Sequence, residues 1–263
     1  MTDVFINQRE IMVNALQRSG HHAFIVWMLE NCPRHLFLNC VQDDRFLRPR
    51  FVSQRPELRF VNDLDLSIER EDAGDLTPKE LIAYNTEGFL IADALSIFRS
   101  PAKAGRIGRS RSAFFTVLLR DPFNNLASLA TRSRGNSDKL ETKVALWLDH
   151  FEAFKKGATG ATETVPVLYN RWLRDEAYKR QLAERFGITA GEGPSEIVQW
   201  GGGSSFGDTR IDASEIELRW QRVKDLPVYR NLFRDEAFRA AIVAFKEYYW
   251  SPELAAAYDE LMK

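Results

Sequence analysis

A chain of 263 residues is long enough to bury a substantial core. Its 44% hydrophobic and 28% charged residues are those of a globular protein. A formal net charge of −1 argues against a general nucleic-acid or membrane-surface binder, so any anion site must be built locally. The two cysteines, Cys32 and Cys40, with no Cys/His spacing suited to zinc, point to a reducing compartment without a disulfide. No basic segment followed by a long apolar stretch opens the chain, and no window approaches about 18 uninterrupted apolar residues. The expectation is a cytoplasmic protein with no membrane span and no nucleic-acid partner.

Short apolar runs alternate with longer helical patterns, which predicts an α/β fold with a central, mostly parallel sheet flanked by helices. In chain order, the strands are expected at Ile11–Leu16, His35–Val41, Leu58–Val61, Ala113–Leu119 and Val165–Tyr169. The helices are expected at His21–Asn31, Pro122–Ser133, Lys139–Lys156, Arg171–Phe186, Ala213–Val223 and Asp235–Trp250. Cys32 is expected to pack in the first helix and Cys40 in the second strand. The stretch 42–79 is poorly patterned and rich in Arg, Asp and Glu. Gly105–Arg111, basic and glycine-rich, reads as a solvated connection. The simplest organisation is a single domain over 1–263, with a substrate-loop region at roughly 42–111.

Two points carry chemistry. The first apolar strand empties into Gln17-Arg18-Ser19-Gly20-His21-His22 and then a helix. The first N–H groups of a helix lack internal partners and sit at the positive end of its dipole, so this turn is a candidate anion site. It lacks the Gly-Lys-Ser/Thr ending of a standard nucleotide loop. The second point is the end of the most strand-like run, Arg120-Asp121-Pro122. Asp at the N-cap and Pro at the first helical position start a helix. Arg120 thereby leaves the carboxyl end of a strand, where open α/β sheets bind ligands. Ser128 follows eight residues after Arg120 and would complete an oxygen shell.

These two points in this order resemble the sulfotransferases that use 3′-phosphoadenosine 5′-phosphosulfate, as a divergent, bacterial-type member with a P-loop-hydrolase-like fold. Arg18-Ser19-Gly20-His21-His22 stands where that family commonly has Arg/Lys-Ser-Gly-Thr-Thr, the loop that holds the 5′-phosphosulfate. Arg120, Asp121, Pro122 and Ser128 match its second motif, whose Arg and Ser hold the 3′-phosphate. Val165-Pro166-Val167-Leu168-Tyr169-Asn170 resembles the strand whose Tyr approaches the adenine, with Asn170 in place of the usual acidic residue. Ser204, Ser205 and Phe206 resemble the segment lining the adenine pocket. The family's downstream basic-glycine loop has no clear counterpart; Arg210 and Arg219 are the substitutes at hand. The resemblance spans about residues 10–220.

The resemblance implies transfer of a sulfuryl group from that donor, without a metal, to a hydroxyl or amine of a small-molecule, carbohydrate or lipid acceptor. Arg18 would neutralise the departing 5′-phosphate. The residues considered as general base are Glu87, His22, His21 and the pair Asp43–Asp44, with Glu87 preferred. His35 and His150 read as structural. The alternatives are a nucleotide-binding module without chemistry and a P-loop kinase. Acceptor and oligomeric state are open.

Overall fold

The computed structural model describes residues 5–43, 71, 73–133, 137–197, 206–207 and 209–263. Strand β1 (Asn7–Ala15) leads to helix α1 (His21–Glu30), then β2 (His35–Leu38) and β3 (Lys79–Glu87). Helices α2 (Ile91–Phe98) and α3 (Lys103–Ile107) precede β4 (Ser110–Leu119), α4 (Pro122–Ser133) and α5 (Ser137–Ala158). Strand β5 (Val165–Leu168) runs into α6 (Tyr169–Arg174) and α7 (Glu176–Phe186). The remainder is helical: α8 (Ala213–Glu217), a 3-10 turn (Arg219–Arg222), α9 (Pro227–Leu232), α10 (Glu236–Phe245) and α11 (Pro252–Leu261).

The fold is α/β. The five strands lie in the order β2-β3-β1-β4-β5, every neighbouring pair parallel, an arrangement consistent with a P-loop-like α/β fold. Alternate residues of β1 feed opposite faces, as the period of two requires. Met12 joins the core beneath α4, α5 and the C-terminal helices, with Trp147, Tyr229 and Phe238. Ile11, Val13 and Ala15 join the core beneath α1, α6 and α7, with Phe24, Trp27, Trp172 and Phe186. The chain leaves β1 towards β2 and leaves β4 towards β5, in opposite directions. A crevice therefore opens at the carboxyl ends of β1 and β4, where ligands of such sheets bind.

Several expectations need correction. Strand β3, central in the sheet, lies within the expected substrate-loop region, as do α2 and α3. Its apolar run is short because Lys79, Asn85 and Thr86 are buried. Each has a partner: Lys79 Nζ donates to Glu71 Oε2 at 3.0 Å, Asn85 Oδ1 accepts from the Cys40 N–H, and Thr86 Oγ1 donates to Asn14 Oδ1. Gly105–Arg111 spans the end of α3 and the start of β4, with only Ile107 and Gly108 of the segment buried. Arg171–Phe186 is two helices, because Asp175 leaves the helical conformation and its carboxylate accepts from the Tyr178 N–H to cap a new one. Ala213–Val223 likewise shortens to α8 and a 3-10 turn, and α10 ends before Tyr248-Tyr249-Trp250, which packs half-buried on the core. Cys40 lies just past β2, and neither cysteine is bridged. The expected strand Leu58–Val61 lies outside the described residues. No helix among the described residues is long and apolar enough to cross a membrane.

Beneath the crevice lies a buried polar network. Asn170 Oδ1 accepts from the Asp121 N–H at 2.9 Å, and its Nδ2 donates to Asp121 Oδ2 and to Glu217 Oε1. An acidic residue at 170 would add a third carboxylate here, whereas the amide satisfies the two present. Tyr249 donates to Glu217 Oε1 at 2.8 Å, and Arg174 reaches Glu217 Oε2 at 3.1 Å. Burial dominates at Glu217 and raises its carboxyl above the ordinary 4.5. The folded state thus holds this proton more tightly than the unfolded chain. Its stability should fall as pH rises from the ordinary value through the folded one, by at most about 1.4 kcal/mol per pH unit. In urea unfolding from about pH 4 to about pH 7, the wild-type curve should fall relative to the Glu217→Gln curve as pH rises, since the carboxyls that folding depresses, Glu87 among them, act equally in both. Parallel curves would refute it.

Candidate functional site

The turn after β1 is tightly bent. Arg18 has φ 66°, uncommon for a residue with a side chain, and Gly20 has φ 87°. Gly20 is the N-cap of α1, which has no side-chain cap and no acidic residue in its first turn. The turn is braced from α4, where Asn125 Nδ2 donates to the Gln17 carbonyl at 3.0 Å. Gly20 rests on Tyr169: a Cβ added there would lie 2.2 Å from the ring Cζ.

Arg120 follows β4 and is 2% exposed. Its Nη1 donates to the Arg18 carbonyl at 3.1 Å and its Nη2 to the Ile216 carbonyl at 3.0 Å. Its Nε lies 3.8 Å from Asp121 Oδ2 and makes no hydrogen bond among the described residues. Trp147 Nε1 donates to the Arg120 carbonyl, fixing the strand end against α5. Asp121 Oδ1 accepts from the Asn124 N–H at 2.8 Å, the expected helix start.

One cavity gathers these groups. Arg18, Gly20, His21, His22, Glu87, Arg120, Ser128 and Tyr169 line it, together with Arg132 and Arg219. Four guanidiniums thus face one space. The Arg18 guanidinium is pushed down to about 10, by burial first and then by Arg132, Arg120 and Arg219. Burial and the neighbouring cations thus both favour an anion beside Arg18. Glu87 offsets part of this charge but is itself tied to the histidines. Its Oε1 is 2.8 Å from His21 Nε2 and 3.6 Å from His22 Nε2. Burial alone would raise the Glu87 carboxyl, but His21 and His22 outweigh it and hold the group down to about 2.

The sequence-predicted residues are mostly brought together. Ser19 is wholly buried and does not line the cavity; its Oγ lies 3.3 Å from His21 Nδ1. Ser19, His21 and Glu87 form a chain with the connectivity of a nucleophilic triad, yet an enclosed serine cannot meet a substrate, so Ser19 acts to orient His21. Tyr169 is buried and stacked on Trp172, presenting its other side to Gly20. Phe206 lies in a separate, more apolar hollow with Val223 and Leu226, beneath the Arg219 and Arg222 guanidiniums. Ser204, Ser205 and Asp44 lie outside the described residues. Of the two substitutes for the missing basic loop, Arg219 is buried in the cavity wall, whereas Arg210 is exposed in an isolated bridge with Glu196. His35 and His150 are held by the Cys32 and Phe89 carbonyls, away from the cavity. Arg132 was not singled out from the sequence, although it stands four residues after Ser128 on the same helix face, a spacing that could have found it.

The arrangement suits a ligand carrying at least two anionic groups, one at the α1 N-terminus and one between Arg120 and Ser128. No protein-family model matches this chain and no curated protein matches it, so its function is read from the cavity itself.

Proposed function

We propose that this protein is a sulfotransferase that moves the sulfuryl group of 3′-phosphoadenosine 5′-phosphosulfate to a hydroxyl or amine of a small-molecule, carbohydrate or lipid acceptor. The observation that carries the reading is the convergence of four arginines on one cavity at the switch point of the sheet. A donor with a phosphosulfate at one end and a 3′-phosphate at the other matches that charge.

In this reading Arg18 and the first N–H groups of α1 hold the 5′-phosphosulfate, and Arg120 and Ser128 hold the 3′-phosphate. Arg219, reaching the same wall, takes the role of the absent basic loop. The acceptor oxygen forms a bond to sulfur as the bond from sulfur to the bridging oxygen breaks. The electron pair stays on the 5′-phosphate, where Arg18 stabilises it. The acceptor's proton passes to the His21–His22–Glu87 cluster. An ionised carboxylate tied to His21 is a weak base, so the proton acceptor of the cluster is an imidazole in its neutral form, which Glu87 orients.

Calorimetry with adenosine 3′,5′-bisphosphate and adenosine 5′-phosphate tests the reading. The bisphosphate should bind tighter by about 10–100-fold, the worth of one hydrogen bond to a charged group. Equal binding, or none, would overturn the donor assignment. Transfer of labelled sulfate to any member of an acceptor panel then separates an enzyme from a binding module.

A further inference from the structure

We infer that His21, His22 and Glu87 form a binding site for a divalent first-row transition cation of the zinc type. The two imidazoles belong to consecutive residues, whose side chains normally leave a helix in different directions. Here the left-handed Gly20 and the first turn of α1 bring the rings together, with centroids 4.1 Å apart. Both Nε2 atoms converge on one oxygen, Glu87 Oε1, at 2.8 and 3.6 Å. A hydrogen bond to Glu87 requires only His21. His22 Nε2 stands 3.2 Å from Asn39 Oδ1, which holds this second ring beside the same oxygen.

The same convergence presents three donors to an ion. One donor atom from each residue lies within 4.8 Å of the others. Donors around a tetrahedral zinc, each about 2.0–2.2 Å from it, stand about 3.3 Å apart. Small movements of the three side chains would bring these donors to that spacing and admit the ion. The three side chains are 5%, 13% and 18% exposed, so the site is held in place yet open to the cavity. Ser19 Oγ at His21 Nδ1 supplies the outer hydrogen bond that orients a metal-binding imidazole. Two imidazoles and one carboxylate select zinc, cobalt or nickel over magnesium, which prefers oxygen ligands and water. Three protein ligands leave a coordination position facing the arginines, where an oxygen of a bound anion would complete the shell and offset the local positive charge. The sequence offers His21, His22 and Glu87 as separate candidates, but their convergence cannot be read there because Glu87 lies 66 positions from His21.

The inference goes beyond the transferase reading. The same three groups cannot bind an ion and accept a proton at once, so an ion would displace the proton-accepting role given to them above. Tag-free protein, stripped with chelator and dialysed, should be titrated with Zn²⁺ by calorimetry and with Co²⁺ by visible absorption, with Mg²⁺ as control. The expected result is a single equivalent of Zn²⁺ at micromolar affinity or tighter, intense Co²⁺ ligand-field bands and no response to Mg²⁺. His22→Ala and Glu87→Gln should each weaken Zn²⁺ binding by at least about tenfold while keeping the wild-type circular dichroism. No saturable Zn²⁺ binding, or equal binding by both folded variants, would overturn the site. Because the titration contains no nucleotide, and nucleotide binding is measured separately in chelator, failure of one reading leaves the other standing.

Discussion

Gly20→Ala should lower the melting temperature by about 5–15 °C. Two costs combine. The position is left-handed, at φ 87°, which costs a residue with a Cβ about 1–2 kcal/mol. The new Cβ would also sit inside the Tyr169 ring, 2.2 Å from Cζ and 2.4 Å from Cε2. That ring cannot retreat freely, because it is buried and stacked on Trp172 at 5.7 Å between centroids. Overpacking of this kind costs about 1–3 kcal/mol. The sum, about 2–5 kcal/mol, converts at about 2–4 °C per kcal/mol for a chain of this size. Thermal melts of Gly20→Ala, Tyr169→Ala and the double variant separate the terms. Removing the ring should recover the steric part and leave the backbone part, giving a coupling of about 0.5–3 kcal/mol. An unchanged melting temperature in Gly20→Ala would mean that the turn does not rest on Tyr169. Because the same turn presents Arg18 and the start of α1 to the cavity, the variant should lose anion binding along with stability.

The sequence makes the frame of this site legible and hides part of its wall. The strand ends expected at Leu16, Leu119 and Tyr169 lie at Ala15, Leu119 and Leu168, legible to within one residue because the runs are apolar. Asp121 and Pro122 announce α4 by cap chemistry alone. Strand β3 was concealed for the opposite reason. Its buried Lys79, Asn85 and Thr86 look like surface residues until Glu71, Cys40 and Asn14 are seen to satisfy them. Glu87 was nonetheless singled out, although its attachment to His21 could not be read, since the contact joins residues 66 positions apart. Arg219 shows the same limit. Its burial in the cavity wall depends on the 3-10 turn being held to α4 by Asn124 Oδ1, which accepts from the Trp220 N–H. Periodicity carries no information about such a long-range polar contact.

The division of labour among the arginines follows from their surroundings. Arg132 is exposed and would attract an anion through a screened field that weakens with salt. Arg120 and Arg219 are buried, so their charge acts at short range and in low dielectric. Arg18 stands between these cases on a bent turn, where burial first and then repulsion from the other three depress its affinity for its proton. An anion that enters relieves this repulsion at all four guanidiniums together, so its binding should be cooperative with the order of the turn.

Arg120→Met should weaken binding of adenosine 3′,5′-bisphosphate by about 100-fold, a loss of about 2–4 kcal/mol expected for one or two hydrogen bonds to a charged group. Methionine retains most of the apolar stem and fills much of the same volume, so the test isolates the guanidinium. The effect on folding should be smaller, about 1–2 kcal/mol, because two contributions oppose each other. The Arg18 and Ile216 carbonyls lose their donors, which is unfavourable. Removal of a buried cation from beside three other guanidiniums is favourable. Arg120→Lys should restore the charge but not the fork that reaches both carbonyls while leaving Nε and the remaining protons for a ligand, and should stay about tenfold weaker than wild type. Arg132→Ala, at the exposed rim, should cost about tenfold or less and should flatten the salt dependence. Calorimetry across this series, with unfolding curves for each variant, distinguishes two roles for Arg120. If Arg120→Met binds the bisphosphate as tightly as wild type while losing stability, then Arg120 serves only to pin the Arg18 turn to α8. If binding collapses while stability falls little, the guanidinium that braces the turn also holds the anion, and the turn is ordered by the same group that recognises the ligand.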